Sequence, residues 1–139
     1  VTPFEALPHS SNLLDIRGAA AAAGVSAESV HHLVTLRIIK ALEEDPEHGP
    51  LFGVEQIPVL EILSAMSVLN FRIEDMRDMV RVIDTLGQQP ASELAARYRL
   101  RLGLFTEALQ HRPVVTTEQQ VSKNHLIHAL TTRYTWLSS

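Results

Sequence analysis

Seven histidines in a chain of 139 residues are the first candidates for chemistry. His125 and His128 stand three apart in a stretch of helical spacing, so they share a face, and His111 lies where it could join them across a hairpin. A zinc site needs more ligands than a pair supplies, and no acidic residue sits at helical spacing beside this one, which favours solvated histidines. His31 and His32 are adjacent, so on a helix they point about 100° apart and cannot chelate one ion. Adjacent imidazoles in that arrangement suit the tuning of an interaction rather than the holding of a metal. Glu43, Glu44 and Asp45 cluster carboxylates in a loop with no acid–base partner close in sequence. Phe105, Tyr134 and Trp136 either line a pocket for a planar effector or pack a core; aromatic residues are only 5% of the chain, which favours packing. Gly-rich phosphate loops, His-Glu-x-x-His and Gly-x-Ser-x-Gly are missing, and without cysteine there is no thiolate nucleophile, disulfide or iron–sulfur ligand. The expectation is a protein with no catalytic activity, no cofactor and no metal.

Elements that position such residues follow from punctuation and apolar spacing. Five alanines, Ala19 to Ala23, favour a short helix from about Gly18, and their small side chains let a second helix approach closely. Gly24 can end that helix in the left-handed conformation, and Ser26 suits the N-cap of the next, about Ala27 to Leu36. Two short helices joined through Gly24-Val25-Ser26 make a helix-turn-helix pattern. Ile38 to Leu42 reads as a short strand, and the acidic loop Glu43 to Pro50 followed by Leu51-Phe52 completes a hairpin, the candidate wing.

Two more helices are expected, about Glu55 to Val68 and Ile73 to Thr85, parted at Asn70-Phe71. Ile57, Leu60, Leu63 and Ser64 share a face of the first; Ile73, Met76, Val80 and Ile83 share one of the second. Beyond Gly87 to Pro90, helices from about Ala91 to His111 and Thr117 to Leu137 carry one-sided stripes: Leu94, Tyr98, Leu102, Phe105 and Leu109, then Ile127, Leu130, Tyr134 and Leu137. Such stripes suit an antiparallel helical pair.

Charge is uneven along this scaffold. The formal net charge is −4, but residues 1–60 hold three basic residues, Arg17, Arg37 and Lys40, against eight acidic ones, leaving −5. The remainder holds nine basic and eight acidic residues, leaving +1. An acidic first half disfavours phosphate binding there, because nucleic-acid affinity rests largely on Lys and Arg. No apolar run approaches the roughly 20 residues that cross a bilayer, and Val1 to Asn12 lacks the basic start and apolar stretch of a signal peptide. A soluble, cytoplasmic protein with no membrane partner is expected.

Residues 14–86 resemble the DNA-binding part of MerR-type regulators. Ile16-Arg17-Gly18-Ala19-Ala20-Ala21-Ala22-Ala23-Gly24-Val25-Ser26 is similar to the family's I-G-E-L-A-x-x-T-G-V-S. In the same register and without gaps, Ser29 to Ile39 overlays T-L-R-Y-Y-E-x-x-G-L-L/I. Leu60 to Val80, with Leu69-Asn70-Phe71-Arg72-Ile73-Glu74-Asp75-Met76, resembles L-x-x-I-x-x-L-x-x-x-G-F-S-L-E-E-I. The resemblance implies a mainly α winged helix-turn-helix with a small β-hairpin wing at 12–86, and a helical dimerisation or effector region at 91–139. It also implies a homodimer acting on promoter DNA in transcription regulation.

Departures from the pattern fall on its basic positions. His31-His32-Leu33 replaces Arg-Tyr-Tyr on the recognition helix, Ala21 and Ala22 stand before the turn, and Pro50-Leu51-Phe52 replaces the arginine-bearing wing. Glu61, Ser64 and Ser67 replace basic positions of the next helix. What remains for DNA is Ser26, Ser29, His31 and His32, whose hydroxyls and imidazoles can bond base edges, with Arg17, Arg37 and Lys40 for phosphates. The leading expectation is a dimeric DNA-binding regulator, one that an effector can address. The alternative is a module of the same fold that binds a protein or small molecule, its DNA binding reduced or lost.

Overall fold

Helix boundaries in this chain are set by hydrogen bonds that close within a few residues. The computed structural model describes residues 13–133, which form two compact units divided between Glu61 and Ile62. Among the described residues there are six α-helices and one two-stranded antiparallel sheet. No described helix is long and apolar enough to cross a membrane.

In the first unit, α1 (Ile16–Ala23) starts at Asp15, whose carboxylate accepts the Gly18 N–H at 2.8 Å. It ends at Gly24, where φ is 72° and the Val25 N–H reaches back to the Ala20 carbonyl. Ala19 and Ala20 are buried on α1, which packs against α2 (Ala27–Thr35), so the alanines do permit close approach. The strand expected at Ile38–Leu42 is not there. Ile38 and Ile39 instead turn their N–H groups onto the Leu33 carbonyl at the end of α2, and both side chains are buried. The hairpin starts later: β1 (Glu43–Asp45) pairs with β2 (Gly49–Leu51), Glu43 opposite Leu51 and Asp45 opposite Gly49. Leu14 and Phe52 exchange backbone hydrogen bonds of 2.8 and 2.7 Å, tying the entry to α1 to the hairpin over a fully buried Phe52 ring. A single 3-10 turn (Val54–Gln56) then leads into α3 (Ile57–Val68).

The second unit contains most of α3, α4 (Ile73–Gln88), α5 (Glu93–Gln110) and α6 (Thr117–Arg133), with α4 packed on α5 and α5 on α6. Gly87 does not end α4. The helix runs on to Gln88 and stops against Pro90, whose ring keeps Gln89 out of the helical region (φ −134°, ψ 58°). Buried positions also differ from the expected stripes: Val80 is half-buried while Met79 and Val82 are buried, and Leu94 is exposed while Ala95 and Thr106 are buried. Leu126 and Ala129, beside the expected Leu130, form the buried face of α6. The stripe is displaced because α5 faces both α4 and α6, so its apolar arc is centred on Leu102 rather than on either neighbour.

Two helices end in a left-handed residue that is not glycine. Arg37 has φ 59° and follows α2; its N–H bonds the Val34 carbonyl and the Ile38 N–H bonds Leu33, each at 3.0 Å. Asn70 has φ 67° and follows α3; its N–H bonds Ser67 and the Phe71 N–H bonds Met66, again at 3.0 Å. Both are Schellman closures, the geometry that glycine ordinarily supplies at this position.

Candidate nucleic-acid interface

The turn between α1 and α2 places the N-terminus of α2 at the surface. Ser26 caps it, its Oγ accepting the Ser29 N–H at 3.0 Å, so one lone pair of that hydroxyl is already engaged. Ser26 stays exposed and Ser29 is half-buried on the flank of the helix. Val30 and Leu33 turn inward, and the opposite face presents Glu28, His31, His32 and Thr35, all exposed. Thus His31 and His32 stand together on the open face, with Ser26 at its head. Glu28 was not singled out in sequence, although its i, i+3 and i, i+4 spacing to the two histidines could have revealed it. A carboxylate in that position can accept from the amino group of cytosine and repels phosphate.

Arg17 is exposed on α1. Arg37 and Lys40 come together after α2: with Val34, Ile39, Ala41 and Glu44 they line a hollow of about 360 Å3. The Lys40 carbonyl accepts the Gln56 side-chain amide at 2.9 Å, which fixes the chain as it leaves this corner. Glu44 thus sets one carboxylate against the two cations.

The hairpin is acidic. Glu44 and Glu47 are exposed, and Asp45 folds onto its own turn by accepting the His48 backbone N–H at 2.9 Å and pairing with the His48 imidazole. That hydrogen bond raises the His48 pKa above its ordinary value, and its counterpart holds Asp45 below the usual carboxylate value. A protonated His48 returns one positive charge to a loop otherwise negative.

In the second unit Phe105 is half-buried against Phe71, the ring centroids 5.5 Å apart and the planes tilted by 42°. Phe71 is the aromatic partner missed in sequence, since it falls at the break between helices rather than on a stripe. Tyr134 and Trp136 lie outside the described residues. Among the described residues no group of three His, Asp or Glu side chains is placed to hold a metal ion. Comparison with known proteins finds no match: no family model, no curated protein and no solved structure corresponds to this chain.

Proposed function

We propose that this chain is a MerR-like winged helix-turn-helix DNA-binding regulator, working as a homodimer, with α2 as the recognition helix. The observation that carries the reading is the pair of left-handed residues. Arg37 and Asn70 occupy two of the positions at which the MerR-type pattern has glycine, those that follow a helix, and their φ angles of 59° and 67° are those glycine would supply. Arginine in that conformation costs about 1–2 kcal/mol and asparagine less, so chance placement is disfavoured above all at Arg37. The exposed Glu28, His31, His32 and Thr35 face supports base-edge contact, and Arg17, Arg37 and Lys40 are the phosphate ligands.

Dimerisation is supported by the outer face of α5, where Leu100 and Leu104 are 68% and 61% exposed. An antiparallel pairing of two α5 helices centred on residue 102 sets Leu100 against Leu104 of the second copy. The same register sets Arg97 against Glu107, and the two-fold symmetry repeats that pair of opposite charges at the other end.

The acidic balance of the first unit supports a second reading, a module of this fold with DNA binding reduced or lost. One experiment decides between them. Purified protein is used to select from a random duplex library at low and moderate salt. A regulator enriches a near-palindromic site, and with at most three phosphate ligands per copy a dimer gives a log–log salt slope no steeper than about −5. No enrichment at low salt overturns the regulator and leaves the binding module. Loss of enrichment in the His31→Ala, His32→Ala double variant assigns the contact to α2.

A further inference from the structure

The second unit contains a cavity of about 420 Å3, within the range of about 300–1,000 Å3 typical of small-molecule sites. It opens between α4 and α5 and reaches the end of α3. Its walls are thioethers, aromatic rings and aliphatic chains: Met66, Met79, Phe71, Phe105, Val82 and Leu104. The Phe71–Phe105 pair also borders a smaller cavity of about 190 Å3. The Arg112 guanidinium lies over the Phe71 ring, 4.2 Å from its centroid, and donates to the Leu69 carbonyl at 3.0 Å. That arrangement holds Phe71 as a fixed wall.

The polar groups lie along one margin. Asp78 accepts from both Arg101 and Arg81, and Asp75 pairs with Arg72 at 3.5 Å. Each carboxylate bordering the cavity therefore has a cation of its own. A charged ligand would have to break one of these pairs, whereas a neutral one can bond to the donor and acceptor edges that the Asp78–Arg101 pair leaves free. Methionine sulfur and phenyl rings both favour contact with a π-system.

From this we infer that the α3–α4–α5 cavity is a binding site for a neutral, planar aromatic molecule with a small polar edge. The ligand's rings lie against Phe105, Phe71 and the two methionines, and its polar edge meets Asp78 and Arg101. The site is built wholly from the second unit and owes nothing to α2, so it does not depend on whether the chain binds DNA.

The test uses N-phenyl-1-naphthylamine, a neutral aromatic dye that fluoresces when it leaves water, with the full chain. Saturable binding of one dye per chain is expected. Leu104 is at the open side, so Leu104→Trp can place an indole in the cavity without repacking the buried core, and it should weaken binding at least tenfold. Val121→Ala, on the exposed side of α6, should change it less than twofold. A measurement on the unaltered protein guards against a variant that misfolds. The chain has three methionines, of which Met66 and Met79 border the cavity and Met76 does not. Dye should shift the methyl NMR signals of Met66 and Met79 well beyond that of Met76. Non-saturable binding, equal binding in Leu104→Trp and the unaltered chain, or methyl shifts no larger at Met66 and Met79 than at Met76 would each overturn the inference. DNA selection reads α2 and the dimer, whereas dye binding and methyl shifts in the unaltered chain read the cavity, so either proposal can fail without the other.

Discussion

Replacing Arg37 by glycine should make this protein more stable, even though it removes an arginine. Arg37 closes α2 with φ 59°, where its Cβ crowds the neighbouring backbone. An L-residue there costs about 1–2 kcal/mol, and glycine's greater freedom in the unfolded chain gives back about 0.5–1 kcal/mol of that. The net expectation for Arg37→Gly is a gain of about 0.5–1 kcal/mol, or a few degrees in Tm. Arg37→Ala is the control, because it removes the same charge and keeps the strain; it should lie within about 0.5 kcal/mol of the unaltered chain. Arg37→Val, with a branched Cβ, should be the least stable of the series. Urea unfolding reads the order as midpoints at constant m-value. A glycine variant no more stable than the alanine variant would refute the argument, and with it the observation on which the DNA-binding reading rests. The same glycine variant should lose one phosphate ligand per copy and flatten the salt dependence of DNA binding by about 0.9 in slope per site.

Other outcomes follow from single groups. Ser26→Ala removes the acceptor of the Ser29 N–H and should cost about 1 kcal/mol by urea unfolding. Ser64 is buried with its hydroxyl unpaired, so Ser64→Ala should be neutral or stabilising by about 1 kcal/mol in the same assay. The Asp45–His48 pair has a pH window. The raised His48 pKa gives a contribution fully present below about 6.5 that is lost as pH rises through the higher folded value; the lowered Asp45 pKa gives one present above about 3.8 that is lost as pH falls through the lower folded value. NMR titration should show the His48 midpoint above that of a free imidazole, and Asp45→Asn should return it toward the ordinary value. Leu100→Glu should convert a dimer to a 15.4 kDa monomer in sedimentation analysis, with helix content unchanged.

What the residue pattern determined on its own is what depends on contacts a few positions apart. Gly24 and Ser26 end and begin helices where expected, because the bonds that cap them reach only three to five residues along the chain. Ala19 and Ala20 mark a close helix contact by size alone. The acidic character of the hairpin and the scarcity of cations around α2 are properties of composition and needed no coordinates. Tertiary structure decided the rest. Ile38 and Ile39 have the composition of a strand, yet the closure at Arg37 uses their N–H groups on Leu33 and moves the hairpin five residues on. No local preference announces that closure, since arginine disfavours the conformation it requires. On α5 the helical spacing picks out Leu102 and Leu109, which are buried, but it also takes in Leu94, and only packing against α4 and α6 leaves Leu94 outside. Phe71 and Phe105 are 34 positions apart in sequence and meet only because α4 and α5 pack against each other. Side-chain type is local, but burial depends on what the rest of the chain brings alongside, so the cavity was decided by the fold and not by any motif.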